Sequence, residues 1–407
     1  MTRSSASTGM PRPHTPPSRS RTGHEALLLR LLREHGPLTR GELGTLSGLS
    51  RTTLYDVVGA LTDNGTVLAS VPGAVRRKRG RPAEVLALNP EAGQMLGIEF
   101  APRAVRVAAM DAAHEVVGTA GEPHGPDTPW QARVDVAWRL ADRLTGGALR
   151  SGALSGIGVG VVGPVALPER GLLGAPGYNT VSALVRERFG AQTLIDNNTR
   201  LAALAETIWG AAAGEQNVLY LRLSHGVGGG LVVAGTLHRG AHGVSGEFGH
   251  ISVDPEGAPC ACGGTGCLET VASVGAVLEA YRIAGGAAAD VPELMAALES
   301  GDRAAHTVLA RTGAHVGRVL ADVCHAVGPD VIVLGGELVD AGPALMEPIE
   351  RKLDTTVVRG ACRPLRVRPA GLGDSGSALG AVALLRAHEP QGARAAGDSP
   401  GTLGVTR

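Results

Sequence analysis

SGEFGHISVDPEGAPCACGGTGCLE, Ser245 to Glu269, is the stretch on which the reading of this chain turns. Its cysteines, Cys260, Cys262 and Cys267, are separated by short runs with glycines at 263, 264 and 266. Such a run doubles back as a tight knuckle. With His250 upstream, three thiolates and one imidazole can close around a tetrahedral ion. Zinc prefers nitrogen and sulfur ligands, and three Cys with one His leave no open position. The spacing therefore predicts one structural zinc ion per chain, bound by His250, Cys260, Cys262 and Cys267. Cys324 lies apart in an apolar helical stretch and reads as a small core residue.

Two carboxylates frame that knuckle. Glu247 and His250 are three residues apart, so a helical turn puts them on one face. If one His250 nitrogen meets a metal, its other N–H can donate to a ligand hydroxyl or an acidic group. Glu269 follows the last cysteine by two residues, so the metal would fix its position. Carboxylates accepting from vicinal hydroxyls are a natural way to hold a sugar. A second constellation, Asp196-Asn197-Asn198, ends a predicted strand at 193–196 and opens a predicted helix over 199–212. These groups either cap that helix or face a cleft beyond the strand's carboxyl end.

Toward the N-terminus the chemistry changes. Residues 1–89 carry 13 basic and 6 acidic side chains, while the whole chain balances 38 against 38. A basic module on an acidic body is expected when only one part meets phosphate. Residues 1–22, rich in Ser, Thr, Pro and Arg, read as a disordered arm. From His24, Leu27, Leu28, Leu31 and Leu32 form a helical stripe that Gly36-Pro37 stops. Thr39 and Glu42 have capping-box spacing, Gly48 makes a turn, and Ser50 caps a third helix through Leu54, Val57, Val58 and Leu61. Strands at 66–70 and 84–88 flank the basic run RRKRGRP, Arg76 to Pro82. Residues 23–89 thus predict a winged helix-turn-helix that binds double-stranded DNA. Arg51, Thr52, Thr53 and Tyr55 start its recognition helix. Arg76, Arg77, Lys78, Arg79 and Arg81 form its wing, suited to a narrow minor groove.

The body, 90–388, reads as α/β with two strand meanders. One lies at 96–100, 105–110 and 115–119, the other at 218–223, 230–234 and 236–238. A helix is expected at 130–149, a strand at 156–161, long helices over 271–327 broken near 285–292, a buried strand at 331–334 and a last helix from about Ser375. The sequence predicts a frayed tail at 389–407. Apolar residues make up 43% but aromatics only 2%, so the core must be Ala, Val and Leu. No apolar run spans a membrane and no secretory signal is visible, and five cysteines without a bridging pattern suit a reducing cytoplasm.

Ser245–Glu269 and the Asp196–Glu206 segment resemble the ROK family (repressors, open reading frames and kinases), and the resemblance extends over residues 24–388. It implies a two-lobed, actin-like (ribonuclease H-like) sugar-kinase fold behind the winged helix. It also implies structural zinc on His250, Cys260, Cys262 and Cys267, homo-oligomers, and sugar contacts at Asn197, Glu247, His250 and Glu269, with Asn198 beside them. Two departures matter. The family's kinases place a catalytic Asp where this chain has Asn198, and an amide cannot take the sugar proton at neutral pH. Their first hairpin carries an Asp-x-Gly-Gly-Thr phosphate loop, whereas this chain reads Glu99-Phe100-Ala101-Pro102-Arg103. A second glycine run, Gly226 to Gly230, reads as a phosphate-type loop or a hairpin turn. The expected protein is a sugar-controlled DNA-binding regulator, a repressor acting as a homodimer or higher homo-oligomer, without kinase activity. The alternative is a sugar kinase with an appended DNA-binding domain.

Overall fold

The structure, a computed structural model, describes residues 19–63, 65–70, 84–89, 94–111, 114–146, 154–165, 178–358 and 365–388. The wing residues Arg76, Arg77, Lys78, Arg79 and Arg81, residues 1–18 of the expected arm, and the tail at 389–407 lie outside them. The chain divides into two compact units between Ala92 and Gly93.

The first unit opens with helix α1 (Arg19–His35). It begins five residues before His24, inside the expected arm. Helix growth is cooperative, and the leucine stripe carries the helix back through residues that do not break it. Strand β1 (Leu38–Thr39) leads into α2 (Arg40–Ser47). Thr39 Oγ1 accepts from the Glu42 amide while the Glu42 carboxylate accepts from the Thr39 amide at 2.8 Å. Removing such a cap costs about 1 kcal/mol. Gly48 ends α2 at φ 65°, a left-handed conformation that glycine enters freely. Helix α3 (Arg51–Asp63) follows, then β2 (Val67–Ser70) and β3 (Val85–Leu88). The three strands pair in the order β1-β3-β2. Leu28, Leu31, Leu32, Leu43, Leu54, Val57, Val58 and Leu61 form one buried core with Val67 and Leu86. This is the order and packing of a winged helix.

The second unit contains two sheets of identical topology. In the first lobe, β4 (Gln94–Phe100), β5 (Ala104–Met110) and β6 (Val116–Pro123) form an antiparallel meander. Helix α4 (Trp130–Leu144), β7 (Leu154–Val161), α5 (Tyr178–Phe189) and β8 (Thr193–Asn197) follow. Strands β7 and β8 add in parallel, giving the order β6-β5-β4-β7-β8. Helix α4 stops short of 149 because the chain turns at Gly146, φ 64°. Helix α6 (Asn198–Ile208) also ends before 212 and gives way to turns.

The second lobe repeats the pattern with β9 (Val218–Leu223), β10 (Val227–Val233) and β11 (Thr236–His238). A short α7 (Glu269–Ala272), α8 (Val274–Ile283), α9 (Val291–Glu299) and α10 (Arg303–Val327) cover it. Strand β12 (Val331–Gly335), α11 (Pro343–Thr356) and β13 (Arg366–Pro369) complete the order β11-β10-β9-β12-β13. Helix α12 (Gly376–His388) crosses back to the first lobe. There a Cβ at Gly97 or Gly158 would collide with the carbonyl oxygen of Ala378 or Ala381, so the helix lies directly on the sheet. Its companion α6 is buried along most of its length and packs on both lobes' strands. Among the described residues, no helix is long and apolar enough to cross a membrane.

Candidate functional site

A cleft of about 400 Å³ lies between the two lobes of the second unit. Asn197, Asn198, Glu247, His250 and Glu269 all line it, so the structure brings the predicted ligand residues together.

Asn197 serves both readings of its position. Its Oδ1 caps α6, accepting from the Thr199 and Arg200 amides at 2.9 and 3.1 Å, while its Nδ2 donates to the Gly163 carbonyl at 2.8 Å. It still borders the cleft. Asn198 is 6% exposed and donates from Nδ2 to Glu99 Oε1 at 3.1 Å. The Asn198 amide is therefore held by a carboxylate from β4.

Glu247 opens a single 3₁₀ turn, Phe248–His250. This turn packs backbone to backbone on β10. A Cβ at Gly246 would strike the Gly229 carbonyl, and Gly246 sits at φ 98°. The EFGH turn thus needs its glycine, and β10 needs its own. Gly228, Gly229 and Gly230 lie within β10 and make room for Thr199, the Phe248 ring and Ala203. The phosphate-type loop expected at 226–230 is consequently a strand, with only Gly226 in the hairpin turn.

The turn gives His250 two faces. Nδ1 lies 3.6 Å from Cys260 Sγ, and Nε2 lies 4.0 Å from Glu247 Oε2. Burial raises the affinity of Glu247 for its proton, with His250 and Arg200 opposing. Glu269 starts α7 and accepts the Val227 amide at 2.9 Å through Oε2. That leaves its other oxygen uncommitted to this bond.

His250, Cys260, Cys262 and Cys267 offer ligand atoms within 4.8 Å of one another. Cys262 and Cys267 sulfurs are 3.7 Å apart. Tetrahedral geometry with zinc-like bond lengths implies about 3.8 Å between sulfurs and about 3.6 Å between sulfur and nitrogen. The donor set fits that ion. The knuckle is braced by Cys260 N–H donating to Gly264 O at 2.8 Å and by bridges Ser252 to Cys267 and Pro259 to Thr265. Burial and the neighbouring thiols push Cys267 up to about 12, while the Gly264 amide lowers exposed Cys262. A bound cation is what holds such a cluster as thiolates. Cys324 is buried in α10, away from the knuckle.

Two ionic clusters beside the cleft were not legible beforehand. In one, fully buried Glu99 meets Arg106 Nη1 at 3.2 Å and Arg222 Nη1 at 3.4 Å, and Arg106 Nη2 meets Asp374 at 2.7 Å. Burial opposes the Arg222 charge, but Glu99, with Tyr220, Glu337 and Asp374, outweighs it. In the other, Asp196 binds Arg200 at 2.6 Å and Arg239 at 2.6 Å. Arg200 is 1% exposed and also donates to the Gly243 and Val165 carbonyls. This ties the strand end of the first lobe to the segment that leads into Glu247. The available signal was an arginine interrupting apolar strands, in AVRVAAM and VLYLRL.

Residues 95–388 match the sequence model of the ROK family. The chain belongs to the ROK family. A xylose repressor of Bacillus spizizenii is 24% identical over 90% of this chain and 95% of its own length. A glucokinase of Halalkalibacterium halodurans is 29% identical, over 72% of this chain and 95% of its own. A solved ROK family transcriptional regulator, described as a homolog of the E. coli MLC protein, shares the fold at TM-score 0.70 and 24% identity, covering 91% of this chain and 97% of that one. The kinase-type match thus spans a smaller share of this ROK chain than the regulator-type matches.

In the first unit, Arg51, Thr52 and Tyr55 are exposed at the start of α3. Thr53 differs from expectation. It is half-buried, and its hydroxyl and amide both bond the Ser50 hydroxyl, at 2.8 and 3.2 Å. The capping geometry that starts α3 uses it. Tyr55 lies under the guanidinium of Arg40, 4.8 Å from its ring centre.

Proposed function

We propose that this chain is a DNA-binding transcriptional regulator, a repressor of carbohydrate-related genes, controlled by a sugar or sugar derivative in a catalytically inactive kinase-like body. The observation that carries this reading is Asn198. It stands where a sugar kinase keeps its base, and its amide is spent on Glu99. Losing a positioned base typically costs about 10²–10⁴-fold in rate. The first hairpin, Ala101-Pro102-Arg103, also lacks the glycines that let backbone amides approach phosphate.

In this reading Asn197, Glu247, His250 and Glu269 bind the effector's hydroxyls. Zinc, when bound by His250, Cys260, Cys262 and Cys267, supplies structural rigidity only, since four protein ligands leave no position for substrate. With zinc bound, His250 would hold the ion through one ring nitrogen and keep the other for Glu247 or an effector hydroxyl. Arg51, Thr52 and Tyr55 meet base edges in the major groove, with a lesser share for Thr53. Arg76, Arg77, Lys78, Arg79 and Arg81 meet the minor groove and phosphates. A homodimer presents two such helices to an approximately palindromic operator.

The test runs gel-shift titrations with and without each of a panel of sugars, beside coupled ADP release with ATP and the same sugars. The expected result is operator binding that one sugar changes, with no ADP release above background. Robust ATP-dependent phosphorylation overturns the reading and favours a kinase.

A further inference from the structure

The two ends of the cleft treat charge differently. At one end Asn197, Glu247, His250 and Glu269 border open space suited to hydroxyls. At the other, the guanidinium groups are already engaged. Arg106 spends Nη1 on Glu99 and Nη2 on Asp374, and Arg222 meets the second oxygen of Glu99. Glu99 is fully buried and also accepts from Asn198.

The balance of charge follows. Three carboxylates, Glu247, Glu269 and Glu337, line the cleft against three guanidinium groups, Arg103, Arg106 and Arg222. Glu99 and Asp374 stand behind them, so carboxylates are in excess. Of these, Glu337 keeps one buried oxygen without a hydrogen-bond partner. Arg103 is exposed at the hairpin tip, where solvent and salt screen it. A phosphate entering this end meets Arg106 and Arg222 already paired with Glu99, and would compete with that buried carboxylate for them. Drawing either arginine away would strand a buried carboxylate, which is strongly unfavourable.

We propose that Glu99 is a specificity-determining residue: by occupying Arg106 and Arg222 it restricts the effector to an uncharged monosaccharide and turns away phosphorylated sugars. The inference rests on the reading of the cleft as a sugar-effector site. Asp374 assists by holding the second arm of Arg106.

The experiment measures binding by thermal shift and calorimetry on the full chain. Pentoses, hexoses and N-acetylhexosamines are each paired with their terminal phosphate esters, and inorganic phosphate is included. For the wild type, at least one neutral sugar should bind about tenfold or more tightly than its ester, as expected when like charges meet. Inorganic phosphate should give no protection. Glu99→Gln removes the charge that pairs Arg222 and one arm of Arg106, so it should narrow that preference about tenfold and gain protection by inorganic phosphate. Asp374→Asn alters an exposed carboxylate and frees only one arm of Arg106, so it should shift the preference the same way by a smaller factor. It keeps the test available if Glu99→Gln does not fold. A wild type that binds an ester more tightly than its parent sugar overturns this inference and leaves the sugar-effector reading standing. An unchanged preference in the variants also overturns it. If no sugar binds in either form, the sugar-effector reading itself fails.

Discussion

Asn198→Asp puts a carboxylate where an amide now donates to Glu99 Oε1 at 3.1 Å. Glu99 is fully buried and Asn198 nearly so. Two unit charges at that separation repel by about 5 kcal/mol at an effective dielectric of 20. The pair escapes by retaining one proton, as adjacent carboxylates do. At pH 7 that costs about 4 kcal/mol for a side chain of ordinary aspartate acidity. The retained proton takes over the amide's donation, and Arg106 and Arg222 return part of the cost. The variant should therefore be less stable than wild type by about 2–4 kcal/mol at pH 7. In the variant the folded chain holds the shared proton more tightly than the unfolded chain does. The penalty is thus absent below about pH 3, where both states are protonated, and grows as the pH rises through about 4 toward 7. Urea unfolding of both proteins at pH 5 and pH 7.5 measures it, and the stability gap should shrink by about 2–3 kcal/mol at the lower pH. The same variant should show no ATP-dependent sugar phosphorylation, because its new carboxylate is tied to Glu99 and the first hairpin is unchanged. Equal stability at both pH values, or restored phosphorylation, would refute the closed ionic arrangement.

Four other outcomes are expected. Asp196→Asn removes the charge facing buried Arg200 and Arg239 and should cost about 3–5 kcal/mol in denaturant unfolding, with a matching loss of effector affinity because the Gly243 segment loosens. Cys262→Ser should lose the metal, about one zinc per chain in the wild type by mass spectrometry, and lower the melting temperature; zinc-free wild type purified without chelators would contradict it. Arg51→Ala should change sequence preference in gel shifts, whereas Arg81→Ala should weaken AT-containing sites by about 1–3 kcal/mol; equal affinities at matched salt would remove both from the interface. Glu247→Ala should abolish the effector response and leave ligand-free DNA binding intact, as read by footprinting with and without the sugar.

The winged helix was legible because its signals are local. Thr39 with Glu42, Gly48 and Ser50 act within a turn of their own positions, so sequence spacing is nearly the geometry. The metal knuckle was legible for the same reason: its three cysteines fall on one glycine-rich bend, and His250 is brought in by a single bridge. Helices α5 and α11 and strand β13 were not anticipated. Strand β13 is short and carries arginines among its apolar residues, so its pattern is weak until β12 pairs with it. The equivalence of the two lobes was only hinted at, since it resides in strand order rather than in residue identity.

By itself, the sequence determined which residues can bind a metal and which can cap a helix. The partners of the buried charges were decided only by the tertiary structure. Glu99 meets Asn198 across 99 residues of chain and Arg222 across 123. A strand arginine reads alike whether it faces solvent, a ligand or a buried glutamate. The difference is set by which strand ends the two sheets bring to one cleft, because a charge is tolerated in the interior only where an opposite charge has been brought to meet it.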